Sequence, residues 1–403
     1  MKRWVLNLED GGLSSGGDLS GLSPKSTDVL ACLINNAGSV LSRNDILQAA
    51  WPGLHVSPDL VRENIFEIRK ALGDDASEPK YIETVGRRGF RLIGPVSIQS
   101  QSRTTGNSVS EQLTKSCQQS GQMPVVKFAR SKDGTSIAHT ISGDGTPLLI
   151  AGSWMSHLDM DWENPVYSGY LKHLSRKFQV IRYDQRGNGL SQWSDVDISF
   201  ERMVDDMAAI VDEYGHEKLA ILGMSQGASV AIAYALRQPD RVSHLVLNGG
   251  YARGRKHRGN DADREESDAL VSLIRHSWGN ENPAIRQTLT TLFMPEASKE
   301  QMQWFNDFQK ICGPAENIAQ FRAMFDDMNV AKLLPEITTP TLVLHSDRDA
   351  VAPLSEGKLL ACQIEGSSFV QLNSPNHMLF ETEQDFTKMI DNIDNFINSG
   401  LSA

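Results

Sequence analysis

Gly223-Met-Ser-Gln-Gly227 lies between the apolar run Lys218-Leu-Ala-Ile-Leu222 and a stretch of small side chains, Ala228-Ser-Val-Ala-Ile-Ala-Tyr-Ala-Leu236. The flanks predict a strand that turns sharply into a helix, with Ser225 at the turn. That turn lifts the serine oxygen toward a pocket at the helix N-terminus, and the two glycines tolerate the close backbone approach it demands. Five letters of this kind recur by chance in long chains; their placement between strand and helix makes them specific.

A serine hydroxyl needs a base to take its proton and an acid to orient that base. Downstream, Asp349 follows the expected strand Thr341-Leu-Val-Leu-His345, and His377 follows the expected strand Ser368-Phe-Val-Gln-Leu372 within Asn373-Ser-Pro-Asn-His-Met378. Asp347 competes for the acid role, but Asp349 has the better spacing to Pro353. A tetrahedral intermediate would also need backbone donors. The amide of Gln226 is one; Ser153 or Trp154, in the turn after Leu148-Leu-Ile-Ala151, is the other. Phe178-Gln-Val-Ile-Arg-Tyr183 and His244-Leu-Val-Leu247 complete the strand candidates, which alternate with amphipathic helices as in a mostly parallel, doubly wound α/β sheet.

The chain order Ser, Asp, His and the turn Tyr183-Asp-Gln-Arg-Gly-Asn-Gly-Leu-Ser191 make residues 124–403 resemble the α/β-hydrolase fold throughout. The likeness is greatest to hydrolase modules fused to bacterial regulators and cyclases, through Trp154-Met-Ser-His-Leu-Asp-Met-Asp-Trp162 and Leu245-Val-Leu-Asn-Gly-Gly-Tyr-Ala-Arg-Gly254. One departure is Ala151-Gly152 where the family has His-Gly. Asp184 and Arg186 are expected to hold their loop rather than perform chemistry. Between Tyr251 and Pro340 a segment rich in aromatics, including Phe293, Phe305 and Phe325, reads as a helical cap over about 252–336. Some aromatics must pack the cap core, and Trp154, His157, Trp193, Trp278 and Trp304 are candidates for the wall of an apolar ligand pocket.

At the other end of the chain, helices are expected over 22–38, 42–50 and 57–73. Proline at 52 blocks continuation of the second, and Ser57-Pro58 opens the third. In the third, Val61, Ile65, Ile68 and Leu72 form a packing face, while Arg62, Phe66, Arg69 and Lys70 lie on another. Tyr81-Ile-Glu-Thr-Val85 and Gly89-Phe-Arg-Leu-Ile93 flank Gly86-Arg-Arg88 as a hairpin with cations at its tip, and Trp4-Val-Leu-Asn-Leu8 reads as a further strand. Arg69-Lys-Ala-Leu-Gly-Asp-Asp75 and Tyr81-Ile-Glu-Thr-Val-Gly-Arg-Arg-Gly-Phe90 make residues 1–97 resemble the OmpR/PhoB-type winged helix-turn-helix, in the form found in CadC-like regulators. The resemblance implies double-stranded DNA as partner, with the third helix in the major groove and Arg87 and Arg88 at the backbone or minor groove. Arg62 is the candidate base reader; Arg69, Lys70, Arg87 and Arg88 are candidate phosphate contacts. Taken singly, each cation fits equally a solvated face with intrahelical ion pairs to Glu63 or Glu67.

The net charge of −11 argues against nucleic acid only if it is evenly spread. Residues 1–97 hold 11 Lys plus Arg against 12 Asp plus Glu, so nearly all the excess lies further along. A Ser/Gln/Thr-rich stretch with few large apolar residues, 98–123, reads as a flexible linker. Four scattered cysteines without a Cys-x-x-Cys pair give no metal-ligand spacing and no disulfide framework, and no cofactor is implied. No receiver domain precedes the helices and no apolar run reaches the length of a membrane span, so a cytoplasmic protein that takes its input from a small-molecule ligand is expected. The reading is therefore a DNA-binding transcription regulator whose α/β-hydrolase-fold domain binds, and has the residues to hydrolyse, a small ester- or lactone-like carbonyl compound. A serine esterase with an accessory DNA-binding domain and a non-catalytic interaction module stay open as alternatives, as does a homodimer.

Overall fold

In the computed structural model of the protein the chain divides into two compact units, Met1–Gly106 and Asn107–Ala403. The structure describes residues 4–6, 13–15, 18–20, 22, 24–35, 40–50, 59–76, 79–86, 89–93, 124–259 and 261–398. The expected linker, 98–123, and Arg87 and Arg88 lie outside the described residues.

The first unit opens with an antiparallel sheet of β1 (Val5–Leu6), β2 (Leu13–Ser15) and β3 (Asp18–Ser20). Only β1 was expected; β2 and β3 run through Gly- and Ser-rich sequence of low strand propensity, so their pairing rather than their composition forms them. Helices α1 (Pro24–Asn35), α2 (Arg43–Ala50) and α3 (Asp59–Leu72) follow, then the hairpin β4 (Ile82–Val85) and β5 (Gly89–Leu92). Val29, Leu33, Ile46, Val61, Ile65, Ile68, Leu72, Ile82 and Phe90 bury one face of the three helices and of the hairpin in a single core. Ser42 caps α2 reciprocally with Asp45, each backbone amide donating to the other side chain.

The motif after α3 has a physical reading. Gly73 takes the left-handed conformation that ends the helix (φ +64), and the Asp74 carboxylate then accepts from the amides of Lys80, Tyr81 and Ile82, fixing where β4 begins. At the far side of the hairpin, Gly89 (φ +136) lets Phe90 exchange two 2.9 Å backbone hydrogen bonds with Leu41. A Cβ at residue 89 would sit 1.8 Å from the Leu41 carbonyl oxygen. Gly89→Ala is thus expected to destabilise this unit by at least 1–3 kcal/mol, the usual range for a side chain forced into a disallowed backbone region, with thermal unfolding of the 1–106 unit's signal as the check. An unchanged transition would contradict the packing described.

The second unit is built on eight strands in the order β13-β12-β11-β10-β8-β9-β7-β6. These are β6 (Lys127–Arg130), β7 (Ser136–Ser142), β8 (Thr146–Ala151), β9 (Phe178–Tyr183), β10 (Leu219–Met224), β11 (Val242–Asn248), β12 (Thr341–Ser346) and β13 (Ser368–Leu372). β7 runs antiparallel to both neighbours; pairs from β9 to β13 are parallel. Central β10 is buried along its whole length, as a strand covered on both faces must be. The six strands expected from sequence all form, whereas β6 and β7 were not singled out.

Helices α4 (Tyr167–Ser175), α5 (Phe200–Tyr214), α6 (Gly227–Arg237), α12 (Leu354–Gln363) and α13 (Gln384–Asn398) connect or flank the strands. Between β11 and β12 come the cap helices α7 (Arg255–Arg258), α8 (Asp261–Ser277), α9 (Ala284–Phe293), α10 (Lys299–Cys312) and α11 (Ala315–Asp327). Because β8, β10, β11, β12 and β13 are parallel, the loops that follow them emerge at one edge of the sheet, where ligands bind in open α/β folds.

Candidate active site

Ser225 is held in the left-handed region at φ +52, a conformation costly for any residue with a Cβ. Two bonds lock it there: its amide donates to Asn248 O (3.0 Å), and its carbonyl accepts from the Ala228 amide (3.1 Å). The flanking glycines are required by contact. A Cβ at 227 would lie 2.8 Å from Gly152 O, and one at 223 would lie 2.6 Å from Ala228 Cα.

Asp349 and His377, from loops after β12 and β13, meet at the same edge: His377 Nδ1 donates to Asp349 Oδ2 at 2.6 Å, both side chains being buried. The other carboxylate oxygen accepts from the amides of Val351 (2.8 Å) and Ala352 (2.9 Å). Burial alone would push the Asp349 carboxyl up, but the charge and hydrogen bond of His377, with the Ala352 amide, outweigh it and hold it below its ordinary value. Asp349 is therefore ionised at neutral pH, fixing the imidazole with Nδ1 occupied and Nε2 available. Asp347, the competing acid, instead accepts from the Ser374 amide and Arg348, which ties the loop together.

Ser225 and His377 share a small cavity with Ser153, Trp154, Tyr167, Met224, Asn248, Phe293 and Met378. Among the described residues, no backbone hydrogen bond takes up the amides of Gln226, Ser153 or Trp154, the three donors expected around the serine. Gly152 packs close to Gly227, which sets the loop after β8 against the start of α6.

The expected aromatic wall is largely corrected. Of Trp154, His157, Trp193, Trp278 and Trp304, only Trp154 lines this cavity. Trp278 is buried behind Trp154, edge-on at 6.1 Å, and Trp304 stacks on Phe308 within the cap. Trp193 donates from Nε1 to Gly189 O, bracing the loop after β9, and the amide and carbonyl of His157 are engaged with Asp161. Phe293, Tyr167, Asn248 and Met378 take the remaining wall positions. Asn248 and Met224 could have been found as the last residues of neighbouring strands; nothing in the pattern marks Tyr167.

The Tyr183–Ser191 turn is structural, as its residues implied. Asp184 accepts from Ser156 Oγ (2.6 Å) and from the amides of Leu158 and Leu190. Arg186, with 0% side-chain exposure, reaches both oxygens of Asp206 (2.6 and 2.8 Å) and also Asp133 (2.7 Å).

Residues 146–384 match the α/β-hydrolase-fold family. The chain belongs to that family. Residues 17–92 match a second family, the C-terminal domain of transcriptional regulatory proteins. Among relatives, an AB hydrolase superfamily protein, YisY, of Bacillus subtilis is 25% identical over 258 residues, covering 60% of this chain and 89% of that protein. The transcriptional activator CadC of Escherichia coli is 34% identical over 94 residues, 23% of this chain and 18% of CadC. An esterase from Exiguobacterium antarcticum has the same fold, with a TM-score of 0.57, 22% identity, and coverage of 69% of this chain and 99% of that one. The protein is thus a fusion of an OmpR/PhoB-type transcription-regulator DNA-binding domain with an α/β-hydrolase domain. Among the described residues, no helix is long and apolar enough to cross a membrane.

In the regulator domain, Arg62, Phe66 and Lys70 are exposed on α3 at a spacing of four, so they share one face. Phe66 is 71% exposed, unusual for a large apolar side chain in a folded unit. Arg69 departs from the expected phosphate role: its Nη2 donates to Ile82 O (2.7 Å) and Thr84 Oγ1 (3.0 Å), anchoring the hairpin to α3. Arg91 is paired across the hairpin with Glu83 (2.6 Å).

Proposed function

We infer that the hydrolase domain binds and hydrolyses a small ester- or lactone-like carbonyl compound, and that its occupancy biases DNA binding by the winged helix. The observation that carries this reading is the buried 2.6 Å Asp349–His377 bond beside a strained Ser225 in one cavity. In this mechanism His377 Nε2 takes the Ser225 proton as Oγ attacks the carbonyl, Asp349 stabilises the imidazolium, and the amides of Gln226 with Ser153 or Trp154 hold the oxyanion. His377 then returns the proton to the departing alkoxide, and water repeats the cycle on the acyl-enzyme. The apolar lining by Trp154, Phe293, Met224 and Met378 favours a compact, partly apolar substrate. The test is hydrolysis of short p-nitrophenyl esters by the purified full chain, together with labelling of Ser225 by a fluorophosphonate. A folded protein that does neither is no hydrolase.

For coupling, the ligand must bind one state of the protein more tightly than the other, since equal affinity shifts nothing. Operator affinity is therefore expected to change on ligand addition in the full chain. The α3 face of Arg62, Phe66 and Lys70 is assigned to the DNA groove, with the domain division 1–97, 98–123 and 124–403 carried as part of this reading. Arg62→Ala should cost about 1–3 kcal/mol on the matched site and relax preference at one base pair. Lys70→Ala should weaken all sites alike and lower the salt slope by about one. Mobility shifts on matched and mismatched duplexes separate the two; identical losses from both would refute the division of roles.

A further inference from the structure

Next to the serine cavity lies a second, larger one, which shares Ser153, Tyr167 and Met224 with it. Its wall contains the ion pair of Arg182, from β9, and Asp161, together with Tyr170 from α4. All three are at least nine-tenths buried. The pair is only half satisfied. Arg182 Nη2 meets Asp161 Oδ2, which also accepts from the His157 amide, yet Arg182 Nη1 and Asp161 Oδ1 have no protein hydrogen-bond partner. A buried charge pair with a spare donor on one member and a spare acceptor on the other is costly to keep unless something uses those atoms.

The spare atoms define a chemistry. A carboxylate would gain the Arg182 donor but face the Asp161 charge, and an ammonium would meet the reverse conflict. A neutral group that donates and accepts at once, such as a carboxamide or hydroxyl, satisfies both. Burial pushes Asp161 up to about 7, Arg182 opposing and Asp184 reinforcing that rise, so the carboxylate form that supplies the acceptor is dominant above that value.

We propose that this second cavity is a specificity subsite which receives an arm of the ligand carrying a neutral carboxamide or hydroxyl, held between Arg182 Nη1 and Asp161 Oδ1. The assignment rests on the reading of the first cavity as the ester site, because the arm must belong to a molecule whose carbonyl lies near Ser225. It makes the preferred ligand bifunctional: an ester or lactone at one end, a hydrogen-bonding neutral group at the other.

The test uses the full chain with Ser225→Ala, which prevents turnover, and titration calorimetry at pH 8.5. Probes are the methyl esters of succinamic, glutaramic and adipamic acids, the matched branched alkanoates in which isopropyl replaces the carboxamide, and the matched monomethyl dicarboxylates. At one chain length the carboxamide should bind about tenfold or more tightly than both analogues, the range expected when a buried donor and acceptor would otherwise go unpaired. Asp161→Asn, near-isosteric and able to keep the bond from Arg182 Nη2, turns the spare acceptor into a donor and should shift preference toward the carboxylate probe. Equal affinity across the three classes, an apolar preference, or no binding by any probe would overturn the subsite. Turnover of short p-nitrophenyl esters by the unsubstituted chain is read in parallel, so that failure of the subsite with hydrolysis intact is distinguished from failure of the hydrolase reading itself.

Discussion

Ser225→Ala is expected to lower ester hydrolysis by a factor on the order of 10⁴ to 10⁶ and to abolish fluorophosphonate labelling, leaving only the contribution of the oxyanion donors and binding. The substitution removes one oxygen from a residue whose backbone is fixed by Asn248 and Ala228, so the fold should be unaffected. Its effect on DNA binding separates two kinds of regulator. If the intact ligand is the signal, Ser225→Ala keeps the response and prolongs it, since the ligand is no longer consumed. If the product is the signal, the response disappears. Hydrolysis unchanged by the substitution would remove Ser225 from the chemistry.

The largest stability effect is expected at Arg186. Its guanidinium is fully enclosed and neutralises Asp206, itself with no exposed side chain, while also binding Asp133 and Ser131. Arg186→Met keeps much of the apolar volume but leaves a buried carboxylate alone, which typically costs about 3–5 kcal/mol. Urea unfolding of the hydrolase unit measures it. The double variant Arg186→Met with Asp206→Leu should recover a sizeable part of the loss, because the unpaired charge, rather than the missing contact, carries most of the cost. No recovery would mean that the network matters chiefly through packing and loop geometry.

The residues to which the proposed mechanism gives the chemistry can be picked out in the chain by local pattern. Ser225 is marked by its strand–turn–helix context, and Asp349 and His377 by their positions after consecutive strands. The packing face of α3 was equally plain, because Val61, Ile65, Ile68 and Leu72 recur at helical spacing. What was not readable depends on contacts between distant segments. Trp193, Trp278 and Trp304 look alike as letters, and only the folded cap decides that they brace loops or pack behind the cavity while Phe293 reaches it. Arg69 belongs with the cations by spacing, yet the turn formed by Asp74 brings Ile82 and Thr84 within its reach. The Arg182–Asp161 pair joins a strand to a short 3-10 turn 21 residues away, and no periodicity connects them. Strands β2 and β3 escaped for a related reason, since glycine and serine form strands only when a neighbour supplies the pairing.

The last residue of α9 ties the cap to the base. Phe293 O accepts from the His377 amide (2.9 Å), its ring lies 5.5 Å from the imidazole, and the amide of Glu296 donates to Asn376. On the other side Trp154 packs against Phe293 and donates from Nε1 to Gln309 of α10. The corner of the cap at Phe293 and the loop that carries His377 are therefore one mechanical piece. A shift of this corner of the cap would therefore be passed directly to the imidazole ring.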